Sequence, residues 1–270
     1  MGLSGRRLVA LTVAGTDSGG GAGVAADLKT FEAHGLWGTC AVTAVTAQDT
    51  VGVHAVATLA PELVAEQIDR VVGDIGVDAV KTGMLATGAI VSAVAAALGR
   101  HRVARLVVDP VMASGHGDAL LDDDAVETLL RELVPMATVV TPNLAEASRL
   151  AGFAVDDRAA IVTAGRVLVD RGAKVVLVKG GHLGGERSPD CIVATGAAQP
   201  VWLESDRLEA HSTHGTGCVL SAAICAELAR GMDPVDACVA AKAFCLRAIA
   251  AGVRLGAGVG PVDPGWAART

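Results

Sequence analysis

The stretch Leu8-Val9-Ala10-Leu11-Thr12-Val13-Ala14, then Gly15-Thr16-Asp17-Ser18-Gly19-Gly20-Gly21-Ala22-Gly23, then Val24 to His34, decides the fold. Its first part is an apolar run of strand length and its middle is a glycine-dense link. Its last part spaces Val, Ala and Leu at helical intervals with polar residues between them. A strand that passes through a short link into a helix is half of a βαβ unit. The same alternation recurs outward along the chain. Cys40–Thr46, Ala79–Thr82, Leu106–Asp109, Thr138–Thr141 and Val175–Lys179 read as strands. Pro61–Val72, Thr87–Gly99, Asp123–Leu133, Leu144–Ala151 and Arg158–Arg171 read as helices. Such alternation requires parallel strand pairing with both sheet faces covered, which predicts an α/β fold, a three-layer α/β/α sandwich with a mostly parallel central sheet. Past Lys179 the order changes. Cys191–Ala194 and Pro200–Glu204 flank Thr195-Gly196 as a hairpin, and two helices over Gly217–Arg230 and Pro234–Ala251 follow. With no internal repeat, low-complexity tract or linker, residues 1–270 are expected to form one domain.

Composition removes several function classes. Of 270 residues, 51% are hydrophobic and 19% charged, which excludes a disordered chain. The net charge is −7, and the longest basic run is Arg6-Arg7, so the electrostatic footprint of a nucleic-acid partner is missing. Aromatic residues are 2%, with no Tyr, which argues against stacking platforms for single strands. The six cysteines show no CxxC pair and no zinc-ligand spacing, a pattern that fits a reduced cytoplasm. Thr82 to Gly99 carries no charge, but its Gly, Thr and Ala transfer weakly into lipid, so it reads as a strand end plus a core helix and no membrane partner is expected. Arg6-Arg7 ahead of Leu8–Ala14 mimics a short signal peptide, yet Thr16-Asp17 and a glycine run follow at once.

In sheets of this kind the ligand lies beyond the carboxyl ends of the strands, so the loops there carry the chemistry. The link Gly15–Gly23 leads into a helix whose start is expected to offer free N–H groups to an anion or polar ligand. Gly21-x-Gly23-x-x-Ala26 also imitates a dinucleotide fingerprint, with Asp49 as the ribose acid. Six residues separate Ala14 from Gly21, however, where a pyrophosphate turn needs its glycines straight after the strand. In Thr213-His214-Gly215-Thr216-Gly217-Cys218, small residues again lead into a helix, an arrangement able to form an anion hole. Cys218 then falls in the first helical turn, where a thiol pKa is commonly lowered and the thiolate becomes a usable base or nucleophile; core packing is the other reading. Asn143 and Glu146, three apart after Thr141-Pro142, suit a hydrated Mg²⁺ or an ordinary capping box. Asp109 and Lys179 end two further strands with opposite charges.

Together these loops resemble those of the hydroxymethylpyrimidine and phosphomethylpyrimidine kinases of thiamin biosynthesis, within the ribokinase-like superfamily. The carriers are Ala14–Asp17, Gly19–Gly23 with Ala26–Thr30, Thr46–Gln48, Lys81–Leu85, Asp109–Met112, Thr141–Asn143, Lys179–His182 and Thr213–Cys218, spread over nearly the whole chain. Cysteine after Gly215-Thr216-Gly217, where the sugar kinases carry an acid, points to the pyrimidine and pyridoxine branch. The resemblance implies two successive ATP-dependent transfers, first to the hydroxymethyl group of 4-amino-5-hydroxymethyl-2-methylpyrimidine and then to the resulting monophosphate. It makes Cys218 the base, Gly215, Thr216 and Gly217 the anion hole, and Lys179 with Thr213 the nucleotide contacts. Asp109, Asn143 and Glu146 would organise Mg²⁺, and Gly15, Asp27, Gln48, Met84 and Val111 would hold the pyrimidine. A homodimer is implied as well. The chain departs from the pattern at Asp49, where Asn is usual, and in Ala113–Asp118, which lacks the usual Lys. It departs again at Gly258-Val259-Gly260, where a His is common between the glycines. His116 and His182 are candidates for phosphate contact. A pyridoxine or pyridoxal kinase and a non-catalytic nucleotide-binding module are the competing readings.

Overall fold

The apolar run at Leu8 becomes β1 (Val9–Ala14), and its glycine link delivers the chain into α1 (Gly23–Ala33). The computed structural model describes residues 6–113, 117, 120–181, 183, 184, 186–208 and 210–268. After α1 come β2 (Trp37–Val42), β3 (Ala44–Gln48), β4 (Val53–Thr58) and α2 (Pro61–Arg70). Then β5 (Ala79–Thr82), α3 (Gly88–Arg100), β6 (Leu106–Val108), α4 (Asp123–Glu132) and β7 (Val139–Val140) alternate as the sequence predicts. So do α5 (Leu144–Ala151), α6 (Arg158–Asp170) and β8 (Val175–Lys179). Beyond them lie β9 (Asp190–Ala194), β10 (Val201–Leu203), β11 (Ser212–His214), α7 (Thr216–Ala229), α8 (Pro234–Ala250) and β12 (Gly260–Pro261).

Eight strands form one sheet in the order β10-β9-β8-β7-β6-β5-β1-β2. All neighbours are parallel except at β9, which runs antiparallel to both β8 and β10. Strand side chains alternate between two cores. Leu11, Val13, Val80, Val108, Val140 and Val176 face α2 to α6, while Ala10, Ala79, Val107, Val139, Val175 and Leu177 face α1, α7 and α8. The sandwich therefore has three layers. Each fully buried Val, Leu or Ile contributes roughly 1.5–3 kcal/mol by removal from water, so both sheet faces must be covered.

One expected strand is divided. Cys40–Thr46 breaks at Thr43, whose amide donates to Ala14 at 3.0 Å and whose hydroxyl donates to the Met84 carbonyl at 2.7 Å. The chain leaves the main sheet there, and β3 pairs antiparallel with β4 as a separate hairpin. β4 has one half-buried residue followed by five exposed ones, so it lacks the alternation by which a strand is read. The very short pairing of β11 with β12 likewise carried no pattern. The uncharged stretch Thr82–Gly99 resolves into a strand end, a loop and α3, and no helix among the described residues is long and apolar enough to cross a membrane. All six cysteines are free thiols.

This topology positions the site. β1 lies between β2 and β5, so the chain departs to one side after β1 and later fills the other. The loops diverge at that switch point and leave a crevice at the carboxyl edge. Parallel pairing brings the loop after β1, the loop after β5, Asp109, Asn143 and Lys179 to the same edge.

Candidate active site

A cavity of about 580 Å³ opens at this edge. Gly15, Gln48, Met84, Asp109, Val111, Asn143, Glu146, Lys179, Thr213, Gly215, Thr216, Gly217 and Cys218 all line it. Asp27 is the exception and is treated below. His116 and His182 lie outside the described residues, as does most of Ala113–Asp118.

Two glycine loops form the centre of the wall. Gly215 caps α7 with φ +82°, and a Cβ there would lie 1.8 Å from the Gly21 carbonyl oxygen, so the loops touch backbone to backbone. In the first loop Asp17 collects the amides. Its Oδ1 accepts from Gly19 at 2.8 Å, and its Oδ2 accepts from Gly21 at 3.1 Å and Ala22 at 2.9 Å. His214 Nε2 stands 2.8 Å from the same Oδ2. Burial alone would raise the Asp17 pKa, but His214 and the amides of Gly19 and Ala22 hold it below the usual carboxylate value. Asp17 thus occupies the amides of the link that precedes α1, while in the first turn of α1 the Val24 amide donates to the Gly15 carbonyl at 3.0 Å and the Gly23 amide hydrogen-bonds Cys218, so the expectation that this start is free for an anion is corrected for these amides. In the second loop the amides of Thr216, Gly217 and Cys218, in the first turn of α7, have no partner among the described residues. They are the N–H groups open to an anion.

Cys218 lines the cavity, and its sulfur accepts a hydrogen bond from the Gly23 amide. Burial pushes its thiol up to about 11. The Lys81 charge and the hydrogen bond from Gly23 oppose that rise, while Asp27 and Asp109 add to it. The expected lowering by the helix N-terminus is therefore corrected: loss of water outweighs the helix dipole, and the resting group is a thiol. Cys191, Cys225, Cys238 and Cys245 are buried and Cys40 is half-buried.

Beyond Cys218 the wall is charged. Asp109 accepts from Lys179 Nζ at 3.1 Å, from the Thr141 hydroxyl at 3.2 Å and from the Ser221 hydroxyl at 3.0 Å. Lys179 also lies 3.7 Å from Glu146, so two carboxylates share one ammonium. Burial would lower the Lys179 pKa, but Asp109 and Glu146 more than offset it and the net direction is upward. Burial raises the Glu146 pKa against the pull of Lys179. Asn143 and Glu146 do form a capping box, with Glu146 N–H donating to Asn143 Oδ1 at 2.9 Å and Asn143 N–H donating to Glu146 Oε2 at 2.7 Å. Capping uses part of each side chain and leaves Glu146 still beside Lys179. Met84, Val111 and Leu120 give the cavity an apolar surface, with Met84 packed on Ala44 and Ala86 behind it. Gln48 lies at its rim, with its Nε2 3.5 Å from His214 Nε2.

Asp27 requires a correction. It is fully buried behind the wall, where both carboxylate oxygens accept from Lys81 Nζ, at 3.0 and 2.8 Å, and the Thr12 hydroxyl donates to it at 2.6 Å. Lys81 lines the cavity in its place. Lys81, the Asp17–His214 pair and the Lys242–Asp190 pair at 2.7 Å are the functional-wall residues given no role by sequence reasoning. Lys81 and Lys242 did carry a signal, since each is a lone charge in an apolar segment, Ala79–Thr82 and Val239–Phe244.

Comparisons agree with this geometry. The family model described as phosphomethylpyrimidine kinase matches residues 17–263. The hydroxymethylpyrimidine/phosphomethylpyrimidine kinase of Rhizobium meliloti is 48% identical over 257 residues, spanning 94% of this chain and 96% of that protein. Among solved structures, an ADP complex of Bacillus subtilis pyridoxal kinase superposes with a TM-score of 0.90 at 36% identity, covering 98% of this chain and 99% of that one. A phosphomethylpyrimidine kinase from Clostridium difficile superposes with a TM-score of 0.79 at 38% identity, covering 90% and 100%. The fold is ribokinase-like. A match that runs from Asp17 in the first glycine loop past Cys218 to Asp263 takes in all of the cavity wall except Ala14, Gly15 and Thr16, and the chain belongs to the phosphomethylpyrimidine kinase family.

Proposed function

We propose that this chain transfers the γ-phosphoryl group of ATP to the hydroxymethyl oxygen of 4-amino-5-hydroxymethyl-2-methylpyrimidine, and then a second phosphoryl group to the monophosphate. The observation that carries this reading is one cavity in which an unpartnered helix start, a thiol and a lysine shared by two carboxylates face an apolar wall with an amide at its rim. The apolar wall of Met84 and Val111 takes the ring face, and the Gln48 amide, donor and acceptor at once, pairs with the aminopyrimidine edge. The amides of Thr216, Gly217 and Cys218 hold the transferring phosphoryl group, and Lys179 with Thr213 attends the nucleotide phosphates. The hydroxyl proton passes to the Cys218 sulfur in its thiolate form while the oxygen attacks phosphorus and the bond to ADP breaks. The acceptor of the second transfer is already an anion and needs no such base. Asp109 and Glu146, with Asn143 beside them, fit a hydrated Mg²⁺, since both are oxygen donors already gathered around one cation; that ion would neutralise phosphate charge during transfer. The protein is read as one domain over residues 1–270, cytoplasmic, and a homodimer.

The TM-score of 0.90 to a pyridoxal kinase supports a second reading, phosphorylation of a pyridoxine-type alcohol. One assay separates them: ATP consumption with the pyrimidine alcohol, its monophosphate and pyridoxine in parallel, with product masses. The proposal expects mono- and diphosphate from the two pyrimidines. Turnover of pyridoxine alone would overturn it.

A further inference from the structure

His214 ends β11, one residue before the glycine that caps α7, and lines the cavity between Thr213 and Gly215. Three segments from distant parts of the chain meet at it. Its backbone is fixed by β12 and the residue after it, since His214 pairs with Pro261 and the Val262 amide donates to the His214 carbonyl at 3.0 Å. Its ring is fixed by the first glycine loop. Nε2 stands 2.8 Å from Asp17 Oδ2, with these side chains 8% and 2% exposed, and a Cβ at Gly21 would lie 2.6 Å from the ring Cδ2. A carboxylate can only accept, so Nε2 is protonated and donates to Asp17. The third neighbour is Gln48 at the end of β3, whose Nε2 lies 3.5 Å from the same ring nitrogen. A protonated ring nitrogen has no lone pair to offer, so His214 abuts the Gln48 amide without consuming its N–H groups.

We infer that His214 is a positioning residue: anchored by Asp17, it holds the anion-binding turn of α7 and the amide of Gln48 in one register, so that the pyrimidine and the phosphoryl group meet correctly. These two halves of the site lie on separate two-stranded sheets, β3-β4 and β11-β12, so no strand pairing sets the distance between them. Side chains and loops must set it. Ser18, next to Asp17, grips the Gln48 backbone, donating to its carbonyl at 2.6 Å and accepting from its amide at 2.8 Å. At the tip of the hairpin the Gly258 amide donates to the Thr50 hydroxyl at 3.1 Å and the Val259 amide to the Thr50 carbonyl at 3.0 Å, just before β12. Both routes lead back to His214, through Asp17 on one side and β12 on the other. Phosphoryl transfer asks mainly for positioning, and a misplacement of about 1 Å can cost about 10²-fold. A flat ring that donates from its far nitrogen and packs against a glycine is a stiff spacer for that purpose. The inference rests on the reading of Gln48 as the pyrimidine contact and of the α7 turn as the phosphoryl site.

Two amide variants test this, because they carry the same donor at different reach. His214→Gln can place an N–H where the imidazole Nε2–H stands, whereas the shorter side chain of His214→Asn falls short of Asp17. Steady-state kinetics on the pyrimidine alcohol and on its monophosphate, with unfolding free energies measured alongside, compares them with wild type. His214→Asn is expected to lower kcat about tenfold or more in both transfers and to raise KM for the alcohol, and His214→Gln is expected to restore most of both. The KM is the decisive readout. A merely structural role would reduce the amount of folded enzyme, which lowers apparent kcat and leaves KM where it was. Wild-type kinetics in folded His214→Asn, a fall in kcat with KM unmoved, or equal impairment of the two variants overturns the inference. Should His214→Asn fail to fold, His214→Leu fills the space of the ring without a donor and takes its place, with the same expectation and the same overturning results. Failure of the functional reading looks different, because wild-type protein itself then turns over neither pyrimidine, before any variant is compared.

Discussion

The two glycine loops that meet at this cavity are alike in composition and opposite in use. Gly15–Gly23 and Thr213–Cys218 each lead from a strand into a helix, and each has a glycine that a Cβ would push into backbone, Gly23 in the first and Gly215 in the second. In the first, the amides of Gly19, Gly21 and Ala22 close on the loop's own Asp17. In the second, the amides of the first turn of α7 have no partner among the described residues, and their residues line the cavity. A helix start binds a ligand only where the chain has not supplied its own acceptor. One loop is a scaffold, and the other is the site it supports.

The strongest break of this contrast is at Cys218. Cys218→Ala should cut phosphorylation of the alcohol by a factor on the order of 10²–10⁴, the usual worth of a general base, and harm phosphorylation of the monophosphate far less. Steady-state kinetics on both acceptors checks it, and equal losses would assign the thiol to loop shape. In wild type the first transfer should become faster as pH rises toward about 11, where burial has placed the thiol, with no matching rise in the second.

Next in size is Gly215→Ala. The new Cβ would meet the Gly21 oxygen at 1.8 Å from a left-handed backbone, which forces the two loops apart. Both transfers should lose about 10²-fold or more, the worth of one misplaced oxyanion donor, and wild-type rates would show that contact between the loops is dispensable.

Asp17→Asn tests the scaffold alone. It should cost about 1.5–3 kcal/mol through weaker acceptance from the three amides, read as a lower unfolding free energy. The sign with pH follows from the lowered Asp17 value. Its contribution is present above the ordinary carboxylate pKa of 3.8 and is lost as pH falls toward the lower folded value, so Asn should remove that part of the acid sensitivity.

Two smaller effects sharpen the division of the wall. Gln48→Ala should weaken use of the pyrimidine alcohol roughly tenfold, since an unpaired buried amide edge costs about 1–3 kcal/mol, with ATP affinity unchanged. Glu146→Gln keeps the capping box and so the fold, while raising the Mg²⁺ concentration needed for turnover; an unaltered magnesium dependence would leave Glu146 as a cap only.

Legibility in the sequence follows local periodicity. The alternation from Leu8 to Lys179 was readable because each buried strand and each amphipathic helix carries its own pattern within a few residues. β4 was not, because five of its six residues face solvent on a hairpin and no core imposes alternation on them. The loop positions of the site were readable too, since parallel strands bring their carboxyl ends to one edge whatever the details of packing. What those residues do there was less so. Asp27 sits in a motif but its helix turns it into the interior, to Lys81, across a sequence separation of 54 residues.

By itself, then, the amino-acid sequence determined the three-layer architecture, the edge at which the site lies and, Asp27 apart, the presence there of every residue it had given a role, because these depend on short-range periodicity and on the rule that parallel strands share a direction. Tertiary structure alone decided which glycine loop keeps its amides free, that Cys218 rests as a thiol, and that Lys81 stands at the wall with Asp27 behind it. Hydrogen-bond partners and desolvation are set by groups that arrive from distant parts of the chain, and no local pattern records them.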